Sequence, residues 1–136
     1  LLNPKAVDKG VDLKLLLDEE LPLIKGNYNQ LSRMMINLVD NAIKYTPEGG
    51  TVKVKSEVEA DSLIIEIEDN GIGIPEADLS RIFERFYRVD KGRSRKLGGT
   101  GLGLSIVKHI VENHRGKIEV DSELEKGTKF RIPIVK

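Results

Sequence analysis

From Tyr28 to Tyr45 the apolar residues Leu31, Met34, Met35, Leu38, Val39, Ala42 and Ile43 return at steps of three and four, the period of an amphipathic helix. Thr46-Pro47-Glu48-Gly49-Gly50 stops it. The period then drops to two. Val52, Val54 and Val58 alternate with Lys53, Lys55 and Glu57, and Leu63, Ile65 and Ile67 alternate with Glu66 and Glu68, which predicts two strands joined near Ala60-Asp61 as a hairpin. A further strand is expected from Val11 to Leu17, before the turn signal Leu21-Pro22. Beyond Pro75 the pattern predicts a short helical stretch around Asp78 to Phe86, a basic, glycine-bearing loop to Gly99, and a second long helix from about Thr100 to His114. Lys117 to Ser122 and Lys129 to Ile134 close the chain as strands around Glu125-Lys126-Gly127. Five short strands with three helices held apart from them define an α+β fold, a two-layer sandwich with a mixed, mostly antiparallel sheet, rather than βαβ repeats.

The 136 residues amount to one domain. With 39% apolar and 32% charged residues, the chain has the composition of a soluble globular protein. Twenty-two basic residues cancel twenty-two acidic ones, so the overall charge points to neither nucleic acid nor an anionic membrane as partner. There is no cysteine, hence no disulfide, thiolate nucleophile or thiolate metal site. No apolar run approaches the ~20 residues that span a bilayer, and no signal peptide pattern opens the chain. A cytoplasmic piece of a longer protein is expected, since the chain opens on Leu1-Leu2 without a methionine.

Three places carry chemistry. On the first long helix Gln30, Arg33, Asn37, Asn41 and Lys44 fall within an ~80° stripe, because every spacing is three or four. A solvated face explains such a stripe in a generic helix, but Asn costs about half a kcal/mol against Ala in a helix interior. Two asparagines one turn apart suit a different role, because amide oxygens are neutral ligands for a hard cation such as Mg²⁺, with phosphates and waters completing the octahedron. Lys44 would meet phosphate charge. Second, the inward parity of Leu63, Ile65 and Ile67 continues to Asp69, directing a carboxylate at the core side where the strand ends. An Asn-Gly turn at Asn70-Gly71 is the plainer reading. A buried carboxylate is costly without a donor, however, and an amino group on a flat ring would supply one. Third, Gly98-Gly99-Thr100-Gly101-Leu102-Gly103 runs into a helix start, where amides and the helix dipole favour anions. Alone, this cluster could equally be a hinge. It matches neither the Walker A loop nor the dinucleotide fingerprint.

Taken together, Asn37-Leu38-Val39-Asp40-Asn41-Ala42-Ile43-Lys44-Tyr45 resembles the N box of sensor histidine kinases, Asp69-Asn70-Gly71-Ile72-Gly73-Ile74-Pro75 their G1 box, Arg81 to Arg88 their F box, and Gly99 to Leu104 their G2 box, in the family's order and spacing. The resemblance implies a catalytic ATP-binding domain with the Bergerat fold shared by gyrase-type ATPases and heat-shock chaperones. It implies Mg²⁺ on Asn41, Asn37 at the metal shell or phosphates, Lys44 on phosphate and Tyr45 at the sugar or base. Asp69 would accept the adenine amino proton, with Gly71, Gly73 and Ile74 at the pocket edge. Gly99, Thr100, Gly101, Leu102 and Gly103 would cradle phosphates at the end of a mobile lid over about 75–103, whose Arg88, Lys91, Arg93, Arg95 and Lys96 offer one or two groups to the γ-phosphate. Phe83, Phe86 and Tyr87 read either as a satellite core or as a docking surface. Residues 1–8 would be the remnant of a linker from a dimerisation domain, and 9–136 the catalytic domain, itself a monomer.

Where gyrase-like relatives place a water-activating glutamate, this chain has Asn37, which is no general base. Asp40, some 60° round the helix, does not replace it. Asn27, where many relatives are acidic, and Arg115, where glycine is frequent, are smaller departures. His114 lies on the apolar face, as a satisfied core histidine would, and His109 on the polar face. Neither is followed by the acidic residue of the family's acceptor histidine, so the acceptor is expected on the dimerisation domain, with a response regulator downstream. A regulatory nucleotide-binding module without transfer activity and a protein-serine kinase of the same fold are the alternatives.

Overall fold

The computed structural model describes residues 3–16, 26–59, 62–85 and 103–135. In chain order these form α1 (Asn3–Lys9), β1 (Asp12–Leu16), α2 (Tyr28–Lys44), β2 (Thr51–Glu59), β3 (Ser62–Asp69), a 3₁₀ turn (Glu76–Asp78), α3 (Gly103–Asn113), β4 (Glu119–Glu123) and β5 (Gly127–Val135). One five-stranded sheet has the order β1-β2-β3-β5-β4. β1 pairs parallel with β2, and every other pair is antiparallel.

The α+β expectation holds, and the patterning explains why. Met34, Leu38, Val39, Ala42 and Ile43 of α2 are buried in one core with Val107, Ile110 and Val111 of α3 and with Val52, Val54, Ile67, Phe130, Ile132 and Ile134 from the sheet. The opposite face of the sheet is charged: Arg131 lies between Glu59 (3.6 Å), Glu66 (3.7 Å) and Glu119 (3.4 Å). Ile64 departs from the expected alternation, being 2% exposed although it shares that charged face. It occupies a central strand between Glu57 and Pro133, whose side chains flank it.

Two other elements differ from the sequence pattern. The stretch expected to be helical over 78–86 is a 3₁₀ turn followed by turns to Arg85, with i→i−3 bonds from Asp78, Leu79, Arg81 and Glu84 rather than an α-helical ladder. Asn3–Lys9, most of which falls in the stretch expected as a linker remnant, is helical. Pro4 suits a first turn, where no amide proton is needed, and Ala6 is buried. The Lys9 ammonium donates to the last carbonyls of α2, Ile43 (2.8 Å) and Lys44, favourable groups for a cation.

α2 begins at Asn27, whose side chain accepts from the Gln30 amide at 3.0 Å. The same residue's own amide donates to His114 Nε2 (2.9 Å), while His114 Nδ1 lies 2.8 Å from the Ile110 carbonyl. Since a carbonyl only accepts, Nδ1 carries the proton and Nε2 accepts, which fixes the neutral tautomer. His114 is 8% exposed. The core histidine reading therefore stands, and His114→Ala is expected to cost about 1–3 kcal/mol by leaving buried polar groups unpaired. Chemical denaturation would measure it; unchanged stability would contradict this role.

Candidate functional site

The site lies where α2 and β3 end. Amide Ile72 donates to the Tyr45 carbonyl (3.2 Å), so the end of the asparagine helix and the loop after Asp69 are joined backbone to backbone. That approach requires glycine at 71, because a Cβ there would lie 2.2 Å from the Tyr45 oxygen. On its other side the loop is held by β4 and the turn after it: the Glu125 amide donates to the Ile72 carbonyl (2.8 Å), and the Ile74 amide donates to the Ser122 hydroxyl (2.7 Å). Gly73 adopts φ +74° and its Cβ would strike the Glu123 carbonyl at 2.1 Å. The glycines of this segment are thus explained by packing before any ligand is invoked.

Asp69 points inward as the strand parity requires, and is 8% exposed. Its Oδ1 accepts from the Gly71 amide (2.9 Å). Burial pushes its carboxyl up to about 6, against the opposing pull of the Gly71 and Thr128 amides and with a small push from Glu68. No cation is paired with it among the described residues. A buried carboxylate with this arrangement is an acceptor suited to a polar hydrogen on a ligand. Along the sheet it belongs to a row: Ser122 pairs with Thr128, Thr128 with Asp69, and Asp69 with Val52, all on the core face.

On α2, Asn37, Asn41 and Lys44 are half-buried on one stripe. The buried Asn37 Nδ2 has no hydrogen-bond partner among the described residues. An orphaned donor is what a phosphate or metal-bound water would satisfy. Lys44 Nζ lies 3.3 Å from Asp40, which also pairs with Lys5 at 3.0 Å, so its charge is held near the end of the helix. Among the described residues no three His, Cys, Asp or Glu side chains form a metal cluster. The donor set fits Mg²⁺ completed by phosphates rather than a carboxylate cage.

Of the glycine cluster, Gly99, Thr100, Gly101 and Leu102 lie outside the described residues, as do Phe86, Tyr87, Arg88, Lys91, Arg93, Arg95 and Lys96. Gly103 opens α3. Phe83 packs edge-on against Phe130, with centroids 6.4 Å apart at 71°, beside buried Ile82. Phe83 thus packs on the main core rather than in a separate satellite cluster. Ser122 and Thr128 were not singled out from the sequence, although the alternation that placed Asp69 inward also places a hydroxyl beside Val120 and another beside Phe130.

The fold is that of the catalytic domains of sensor histidine kinases, and comparison with known proteins agrees. Residues 26–136 match the family described as histidine kinase-, DNA gyrase B-, and HSP90-like ATPase, and the chain belongs to that family. It is 50% identical over 109 residues to the signal transduction histidine-protein kinase ArlS of Staphylococcus aureus, covering 80% of this chain and 24% of ArlS. The chain thus spans about a quarter of that relative's length. Among solved structures it resembles the catalytic domain of histidine kinase ThkA (TM-score 0.84, 31% identity, 99% of this chain and 85% of that one). It also resembles the mycobacterial sensor histidine kinase MprB (TM-score 0.83, 30% identity, 98% and 90%). Among the described residues no helix is long and apolar enough to cross a membrane.

Proposed function

We propose that this domain binds Mg·ATP and delivers the γ-phosphoryl group to a histidine on a separate dimerisation domain of a cytoplasmic signalling assembly, for passage to a response regulator. The observation that carries the reading is a buried carboxylate with no cation partner among the described residues, Asp69 at the end of β3, together with an orphaned amide donor, Asn37, in the middle of α2, the helix whose end is bonded to the loop after Asp69. Asp69 would take the adenine amino proton, and a purine with a carbonyl there would be repelled. Gly71, Gly73 and Ile74 would form the edge of the base pocket, and Tyr45 would lie against the sugar or base. Asn41 would give its amide oxygen to Mg²⁺, Asn37 would donate to the phosphates or their water, and Lys44 would turn from Asp40 toward phosphate. Gly99, Thr100, Gly101, Leu102 and Gly103 would present amides to the phosphates at the end of a lid over about 75–103.

Bound Mg²⁺ would supply charge neutralisation on the phosphate oxygens. The protein's part is positioning: a histidine nitrogen of the acceptor forms the new bond to the γ-phosphorus as the bond to the ADP oxygen breaks. Residues 1–8 would lead from the dimerisation domain, with 9–136 the catalytic unit and itself a monomer. Isothermal titration tests the metal assignment. ATP affinity is expected to fall on chelation of Mg²⁺ and on Asn41→Ala; affinity indifferent to both would remove Asn41 from the metal.

A further inference from the structure

We propose that Ser122 is a positioning residue for purine recognition, setting the rim and the floor of the base pocket in one register; this rests on the nucleotide reading above. Its Oγ lies 2.7 Å from the Ile74 amide, 3.0 Å from the Gly127 carbonyl and 2.8 Å from the Thr128 hydroxyl. A serine hydroxyl has one proton and two lone pairs. The Ile74 amide can only donate and the Gly127 carbonyl can only accept, so satisfying all three contacts assigns the Ser122 proton to Gly127 and makes the Thr128 hydroxyl a donor to Ser122.

The consequence reaches Asp69. Thr128 is its direct partner across the β3–β5 ladder and is 7% exposed. With its proton committed to Ser122, the Thr128 oxygen is left as an acceptor on the face that carries Asp69. Two acceptors in one row read an amino group and reject a carbonyl. Through the Ile74 bond, Ser122 also fixes the height of the rim above that row. One hydroxyl on β4 thereby ties together the loop after β3, the start of β5 and the hydrogen-bonding polarity of the floor.

The test titrates the parent, Ser122→Ala and Thr128→Val with ADP and with inosine diphosphate, in which a carbonyl oxygen replaces the amino group, and records thermal unfolding of each. Ser122→Ala is expected to weaken ADP about tenfold, to leave inosine diphosphate nearly unchanged, and so to shrink the preference by a similar factor. Thr128→Val, which keeps the shape but removes the hydroxyl and with it the second acceptor, should shrink it too, and Ser122→Thr should restore it in part. A parental preference in Ser122→Ala, even with a lower melting temperature, overturns the assignment and leaves Ser122 a structural residue. If Ser122→Ala does not fold, a parental preference in Thr128→Val overturns it instead. Asp69→Asn separates the two levels: ADP binding that does not need Asp69 overturns the nucleotide reading itself.

Discussion

Asp69→Asn is expected to weaken ATP binding roughly ten- to a hundredfold, because a hydrogen bond to a charged partner is worth ~1.5–3 kcal/mol. In the parent, affinity should also depend on pH. The carboxyl is pushed up to about 6 by burial, so at pH 5 only about a tenth of the free protein holds the ionised acceptor, and the affinity should drop about tenfold between pH 7.5 and pH 5. Stability moves the other way. A carboxyl whose folded value is raised above its unfolded one favours the fold below the unfolded value, and this contribution is lost as pH rises through about 6. Asp69→Asn removes that loss, so the variant should gain about 1–2 kcal/mol on the parent between pH 5 and pH 8 in the nucleotide-free state. A functional carboxylate kept at the expense of stability is the signature. Equal ATP affinity in parent and variant, or parallel pH curves of stability, would sink the assignment.

The second large effect concerns water. By the resemblance of Asn37 to Tyr45 to the N box, Asn37 stands where gyrase-like ATPases place a glutamate, and its amide cannot take a proton at neutral pH. Residues 1–136 alone are therefore expected to turn over ATP very slowly. They should not label themselves either. His114 is committed through both ring nitrogens to Ile110 and Asn27, and His109, though exposed, is engaged with Asn113 at 3.4 Å. A coupled assay for ADP release checks the first point, and acid-labile label on the chain the second. Rapid steady-state turnover would move the weight to an ATPase.

Much of this was legible in the sequence because it rests on local periodicity. The three- and four-residue steps of α2 and the alternation in β2, β3 and β5 each report which face is buried, and the parity that buries Ile67 also carries Asp69 inward. Order and spacing of the four boxes then located the candidate site. What the sequence did not carry is non-local. The parallel pairing of β1 with β2 depends on contacts some forty residues apart in the chain, as Asp12 with Thr51. Ile64 is buried by neighbours on two other strands, which no alternation within β3 can announce. α1 draws part of its support from the end of α2 through Lys5 and Lys9. Ser122 looks like one polar residue among several in Glu119–Glu123 until the register puts it beside Thr128.

Phosphoryl transfer from this domain to a protein histidine is tested by following label from γ-³²P-ATP in a complete sensor kinase that carries it. Acid-labile, base-stable phosphohistidine is expected on the dimerisation segment, abolished by Asn41→Ala and strongly reduced by Asp69→Asn. Nucleotide binding with no labelled histidine in that kinase, or stable label on His109 or His114, would contradict the transfer.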